Sequence, residues 1–229
     1  MIEFVFLDLD DTILDFHKAE ALALTDTLLV LDVEPTAERL ALYSRINAAQ
    51  WRRLEAGELT RSEVLTTRFD RFFAEIGVQR SSSDAQRAYE ARLSQGHYFI
   101  DGAVEMLEAL SERFALYLVS NGNLRVQEGR LKSAQIERFF RAVFISEQIG
   151  ADKPSRIFFD RCFAQIPEFR RDRAIIVGDS LTSDIRGGIN ASIRTCWFNP
   201  HGKPENPEIP ADYEIRSLKE LEPLLRSIR

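Results

Sequence analysis

Cysteine is scarce in this chain. Cys162 and Cys196 are the only two among 229 residues, far too few to frame a disulfide-stapled fold. Neither belongs to a CxxC or Cys/His pattern, which argues against zinc, and both are expected as small buried apolar residues. Long apolar runs are missing as well. Nothing approaches the roughly 18 consecutive apolar residues of a membrane-spanning helix. The opening Met1-Ile2-Glu3-Phe4-Val5-Phe6-Leu7-Asp8 is broken by Glu3 and stopped by Asp8, so it does not read as a secretory signal. A cytoplasmic, reducing location and no membrane partner are therefore expected. Positive charge is not concentrated anywhere: the net charge is −6, with no dense Lys/Arg block. That argues against a nucleic-acid partner, whose backbone needs many neutralising cations. A small phosphorylated ligand needs only one or two.

What is present suffices for one large core and a smaller second domain. Hydrophobic residues make up 45% of the chain and 16 of them are phenylalanine, enough for a packed interior. Five brief runs, rich in β-branched or aromatic residues, read as buried strands: Ile2–Leu9, Ala115–Ser120, Ala142–Ile145, Ala174–Gly178 and Thr195–Phe198. Helical patterns separate the later ones. Gly102–Arg113 places Ala103, Met106, Leu107 and Leu110 on one face behind Asp101 as a possible N-cap, and Arg125–Phe139 and Ser155–Gln165 are similar. Such alternation predicts a Rossmann-like α/β fold, a parallel sheet with helices on both faces.

The stretch from 16 to 96 is different, being almost all helix former. His17–Leu31 offers Ala21, Leu22, Leu24, Leu28 and Leu31 for packing, and Thr36–Glu55 follows Pro35. Thr60-Arg61-Ser62-Glu63 is a capping-box pattern opening a third helix to about Ile76, and Ser83–Gln95 is a fourth. A four-helix unit inserted after the first strand is expected, with 1–15 and 97–229 forming the α/β domain. The polar, proline-rich His201–Pro210 reads as surface loop, and Ser217–Arg229 as a last helix.

Four polar segments follow predicted strands or open a helix. Asp8-Leu9-Asp10-Asp11-Thr12 ends the first strand, where ligands of open α/β sheets bind. Residues two apart share a face, so Asp8 and Asp10 can converge, and their mutual repulsion calls for a hard cation with oxygen ligands. Val119-Ser120-Asn121-Gly122-Asn123 supplies a hydroxyl, an amide and a loop able to present backbone N–H groups to an anion. Asp152-Lys153-Pro154 brings a point charge suited to phosphate, with Pro154 expected at the first helical position. Gly178-Asp179-Ser180-Leu181-Thr182-Ser183-Asp184 adds Asp179 at the same sheet edge as Asp8 and Asp184 five residues on, with Gly178 expected to let the chain turn away. Each segment alone reads as readily as an acidic turn, a helix cap or a surface lysine.

Taken in order, the four resemble the haloacid dehalogenase superfamily of phosphohydrolases over the whole chain, with the inserted helices matching its helical cap. Leu9-Asp10-Asp11-Thr12-Ile13-Leu14-Asp15-Phe16-His17-Lys18-Ala19-Glu20-Ala21 and Gly178-Asp179-Ser180-Leu181-Thr182-Ser183-Asp184-Ile185-Arg186-Gly187-Gly188-Ile189-Asn190-Ala191, followed by Thr195-Cys196-Trp197-Phe198-Asn199-Pro200, resemble its pyrimidine 5′-nucleotidases. The resemblance implies that Asp8 is the nucleophile, that Asp10 is the acid and base, and that Lys153 is a catalytic cation. It implies Mg²⁺ held by Asp8, the Asp10 carbonyl and Asp179, with waters placed by Asp184. Ser120, Lys153 and amides near Asn121 would hold the phosphoryl group. The substrate implied is a pyrimidine nucleoside monophosphate. Sugar-phosphate or broad-specificity phosphatases and phosphomutases are the alternatives. Dehalogenation is disfavoured by the presence of Asp10, Asp179 and Asp184, and phosphonate hydrolysis by the want of a suitable cap lysine, Lys18 lying too near the first strand. A receiver domain would be about half as long, and the complete acidic set argues against a silent interaction protein. Phe16 and His17 sit at the expected hinge. Trp51, Phe69, Phe72 and Phe73 could stack on a base, although their helical spacing suits a cap core.

Overall fold

A computed structural model describes residues 1–228. In chain order the elements are β1 (Phe4–Leu7), α1 (Phe16–Val30), α2 (Ala37–Glu55), α3 (Arg61–Glu75), α4 (Ser82–Leu93), α5 (Ala103–Ser111), β2 (Ala115–Ser120), α6 (Leu124–Ala134), β3 (Ala142–Ile145), α7 (Ser146–Ile149), α8 (Arg156–Phe163), β4 (Ala174–Gly178), α9 (Arg186–Ala191), β5 (Arg194–Phe198), β6 (Tyr213–Ile215) and α10 (Leu221–Ser227). Among the described residues the strands form one parallel sheet in the order β3-β2-β1-β4-β5-β6. The chain builds outward from β1 in one direction, then from β4 in the other. The crevice beyond the carboxyl ends of β1 and β4 is therefore the switch point at which such sheets bind ligands.

The two faces of the sheet are sorted by alternation. Val5 and Leu7 of β1, with Ile175 and Val177 of β4, pack on Met106, Leu107, Leu110 and Leu131 of α5 and α6. Phe4, Phe6, Ala174 and Ile176 face the other way, onto Phe158, Phe159, Cys162 and Phe163 of α8. Period-two alternation buries both sides, which is why these strands carry almost no polar residue. Both cysteines are buried and free.

Helices α1–α4 make their own core around Leu24, Leu28, Tyr43, Phe69, Phe72 and Tyr89. Phe69, Phe72 and Phe73 are thus packing residues, as their spacing suggested. The Thr60 capping box forms: Glu63 N–H donates to Thr60 Oγ1 at 3.3 Å, and Thr60 N–H to Glu63 Oε2 at 2.7 Å. A cap of this kind stabilises a helix start by about 1 kcal/mol. No helix among the described residues is long and apolar enough to cross a membrane.

Several local expectations are corrected. On α1, Leu22 is 45% exposed, whereas Ala19, Ala23 and Thr27 are buried; the buried stripe is shifted from the one the leucines marked. Asp101 caps nothing. Gly102, in the left-handed region at φ 78°, precedes α5, and Asp101 instead accepts a hydrogen bond from Lys219. The helix expected to run to Phe139 ends at Ala134, where Gln135 turns left-handed. Pro154 lies outside α8, whose cap is Ser155. The strand β6 is only three residues long, too short to stand out as a periodic run.

Candidate active site

The carboxyl ends of β1, β2 and β4 and the loop before α8 meet in one crevice. Asp8 continues β1: its N–H donates to Val177 O of the neighbouring strand at 3.0 Å. Lys153 reaches in from the loop before α8, with its side chain 2% exposed, and donates to Asp8 Oδ1 at 2.6 Å, Asp184 Oδ1 at 2.7 Å and Val119 O at 3.0 Å. One oxygen each from Asp8, Asp179 and Asp184 lie within 4.8 Å of one another.

Asp184 is brought back to the sheet by a single π-helical turn, Leu181–Ile185, in which Ile185 N–H donates to Ser180 O. Gly178 serves this turn differently from the sequence reading. It is a strand residue, and a Cβ there would lie 2.2 Å from Asp184 Oδ2. The glycine is required by the close approach of a carboxylate rather than by a sharp bend. Gly122 is similar, since a Cβ would lie 2.2 Å from the Gln127 amide.

The electrostatics follow from burial. Desolvation holds the Asp8 carboxyl well above the ordinary range, against the pull of Lys153, and the neighbouring Asp184, Asp10 and Asp179 raise it further. Asp179 is pushed up to about 8, first by burial and then by Asp184 and Asp11. Burial alone would lower Lys153, but Asp184 and Asp8 outweigh it and hold the ammonium above its usual value. Lys153 is buried between two of the three carboxylates and Lys203 reaches the third, Asp179, only from the surface at 4.0 Å, so the cluster keeps an excess of negative charge on hard oxygen donors. This donor set fits a hard divalent cation such as magnesium.

The other expected residues divide. The Ser120 hydroxyl is 1% exposed yet borders the crevice, accepting from Gln127 Nε2 at 2.9 Å and Gly122 N–H at 3.1 Å. The Asn121 side chain is already engaged. Its Nδ2 donates to Lys153 O at 2.8 Å and its Oδ1 accepts from Lys153 N–H at 2.8 Å, so it locks the lysine loop to the β2 loop. The Asp10 carboxylate does not join the cluster of three. It is paired with Arg130 and accepts from Gln127 Nε2 at 2.6 Å. Asp11, with φ 58°, accepts from Phe16 N–H at 2.9 Å and so helps start α1. Thr12 is buried and accepts from Asp179 N–H at 3.1 Å.

Four residues that the sequence did not single out belong here. Gln127 and Arg130, three apart on α6, hold Asp10, and Arg130 also donates to Gly96 O at 2.9 Å. Arg61, at the start of α3, donates to Asn121 O at 2.7 Å and Gly122 O at 2.9 Å and pairs with Asp152. Glu55, at the end of α2, accepts from Thr182 Oγ1 at 2.8 Å. The one available signal was the polar pair spaced three apart on α6; nothing marked Arg61 or Glu55. The helices α1–α4 thus close a cavity of about 710 Å³ over Asp8 and Lys153.

The model of haloacid dehalogenase-like hydrolases matches residues 5–198. The chain belongs to this family. The hydrolase is similar to YfnB of Bacillus subtilis, 42% identical over 217 residues that make up 95% of this chain and 92% of that protein. The crystal structure of YfnB, described as bound to magnesium and as revealing interdomain movement, matches at a TM-score of 0.94 with 41% identity over 99% of each chain. The pyrimidine 5′-nucleotidase PynA of Streptococcus pneumoniae is 36% identical over 220 residues, 96% of this chain and 93% of that protein. The pyrimidine 5′-nucleotidase YjjG of Escherichia coli is 30% identical over 223 residues, 97% of each.

Proposed function

We propose that this hydrolase is a magnesium-dependent phosphomonoesterase of pyrimidine nucleoside 5′-monophosphates that works through an aspartyl-phosphate on Asp8. The observation that carries the reading is the convergence of Asp8, Asp179 and Asp184, the first and last of them paired with the buried Lys153, with a fourth carboxylate, Asp10, held apart. Such a site has one carboxylate for attack and another for proton transfer. The nucleotide preference is supported by the length over which PynA and YjjG match.

Asp8 attacks phosphorus in line, forming the acyl-phosphate bond as the ester oxygen departs. Asp10 donates a proton to that oxygen, then accepts one from the water that hydrolyses the intermediate. Arg130 and Gln127 fix the position of Asp10 for both steps. Lys153, the Ser120 hydroxyl and amides of the Asn121–Gly122 loop hold the phosphoryl oxygens. Asp8, the Asp10 carbonyl and Asp179 would hold Mg²⁺, with Asp184 placing its waters; when bound, the ion offsets charge on the carboxylates and on the transferring group. The helices of 16–96 form the cap that excludes water, over a core of 1–15 and 97–229. Asp10 sets this chemistry apart from dehalogenation.

The test is phosphate release from UMP, dUMP, dTMP, purine monophosphates and sugar phosphates, with EDTA and then with Mg²⁺ restored. Pyrimidine monophosphates should lead, EDTA should silence turnover and Mg²⁺ should recover it. Sugar phosphates outpacing UMP would refute the nucleotidase reading. Indifference to EDTA would refute the metal.

A further inference from the structure

The cavity over Asp8 reaches past the phosphate end toward the cap, where Trp51, Leu65 and Leu93 of the cap and Val126 of α6 form apolar walls. Between these walls runs a buried polar chain. Asn47 Nδ2 donates to Glu20 Oε1 at 2.7 Å, Arg68 Nη1 donates to Asn47 Oδ1 at 3.0 Å and Arg68 Nε donates to Gln86 Oε1 at 3.0 Å. Glu20, Asn47 and Arg68 are 3%, 2% and 3% exposed, and all three line the cavity. A charged network inside a small helical core is an expensive way to hold it together, since apolar residues of similar volume serve as well or better. Its placement on the cavity wall points to a ligand.

The network's distance from the chemistry suits the leaving group rather than the phosphate. Glu55, at the foot of α2, contacts the core through Thr182. Asn47 stands eight residues earlier, about 12 Å up the helix axis, comparable to the length of a nucleoside monophosphate. The free hydrogen-bonding capacity is also specific. Asn47 occupies one oxygen of Glu20 and leaves Oε2 as an acceptor. Asn47 keeps a second amide hydrogen, and Arg68 keeps guanidinium hydrogens. An acceptor with donors to one side of it matches one half of an imide, whose ring N–H lies between two carbonyls. Either orientation of the ring about that N–H finds a donor.

We infer that Glu20, Asn47 and Arg68 form the base-reading site of this hydrolase, with Glu20 accepting the ring N3–H of a uracil- or thymine-type base and Arg68 or Asn47 donating to a flanking carbonyl. The inference rests on the nucleotidase reading and adds where the base is read and by which atoms. The apolar walls receive the ring faces. The network acts on binding, so its effect falls on KM more than on kcat.

Three substrates and one variant test this: UMP, 3-methyluridine 5′-monophosphate and ribose 5-phosphate, with wild type and Glu20→Gln. In the variant Asn47 would hold the amide oxygen and turn the NH₂ toward the N3–H. The kcat/KM for UMP should fall about 10- to 100-fold, the range for losing one hydrogen bond to a charged group. Ribose 5-phosphate, which has no base, should be hydrolysed as by wild type. On wild type, 3-methylation of the base should produce a fall of the same size without any change to the protein. If 3-methyl-UMP matched UMP, or if Glu20→Gln lowered UMP and ribose 5-phosphate alike, the base-reading site would be refuted while the nucleotidase reading stood. If wild type preferred ribose 5-phosphate to UMP, both would fall together.

Discussion

Replacing Lys153 by Met removes a cation that touches both Asp8 and Asp184, through contacts of 2.6 and 2.7 Å. The thioether fills most of the space but leaves two buried carboxylates facing each other and Val119 O without its donor. Breaking a buried ion pair by removing one partner costs about 3–5 kcal/mol. In a chain of this size each kcal/mol moves Tm by about 2–4 °C, so the metal-free variant should melt roughly 6–20 °C below wild type near neutral pH. The sign of its pH dependence is fixed by Asp8. Its carboxyl already lies above the ordinary range in the folded protein, and rises further without the ammonium. A raised folded-state value gives stability that is present in acid and lost as pH climbs through it, so the deficit should shrink as pH falls. Mg²⁺ supplies the missing charge and should recover more stability in the variant than in wild type. Turnover at saturating Mg²⁺ should still fall about 10²- to 10³-fold, the loss typical of one donor to a developing anion. Thermal scans with EDTA or Mg²⁺ at several pH values, with phosphate release alongside, read all of this. A metal-free Tm within about 2 °C of wild type, or equal recovery by Mg²⁺ in both proteins, would refute the charge balance assigned to the site.

Other consequences follow from the same geometry. Gly178→Ala puts a Cβ 2.2 Å from Asp184 Oδ2, so the variant should lose about 1–3 kcal/mol by overpacking and bind Mg²⁺ more weakly by calorimetry; unchanged affinity would contradict the close-approach account. Asp179, pushed up to about 8 from an ordinary value near 4, makes the metal-free protein lose stability as pH rises between those values. Mg²⁺ binds the ionised carboxylate, so the rise in Tm that it produces should grow from pH 6 to pH 8.5, and a flat response would count against the raised value. Arg61→Ala removes the bonds to Asn121 O and Gly122 O at 2.7 and 2.9 Å and the pair with Asp152; Tm should fall by about 3–12 °C and kcat/KM about tenfold, and unaltered kinetics would mean that the contact has no part in closing the helices of 16–96 over the site.

What was legible in the sequence were features written locally. Strand ends such as Asp8 and Asp179 stand out because an apolar run stops at a carboxylate, and Thr60–Glu63 because a capping box is a four-residue pattern. The crevice positions of Asp8, Ser120, Lys153, Asp179 and Asp184 follow from the order of the parallel strands, which brings their carboxyl ends to one edge. Contacts between distant segments were not legible. Arg61 reaches Asn121 across 60 positions, and Arg130 reaches Asp10 across 120; neither leaves a trace in propensity or period. The reading of α1 held only in part: Leu24 and Leu28 are buried as expected, but Leu22 faces outward, while Glu20 and Thr27 face inward. The inward Glu20 is the residue to which the cavity gives a use.

The central claim is that Asp8 itself carries the phosphoryl group. Borohydride reduces an aspartyl-phosphate to homoserine. Turnover of UMP with Mg²⁺, quenched into borohydride and analysed by peptide mass spectrometry, should show homoserine at position 8 and nowhere else. Turnover that leaves Asp8 intact, or that marks a different carboxylate, would contradict the account.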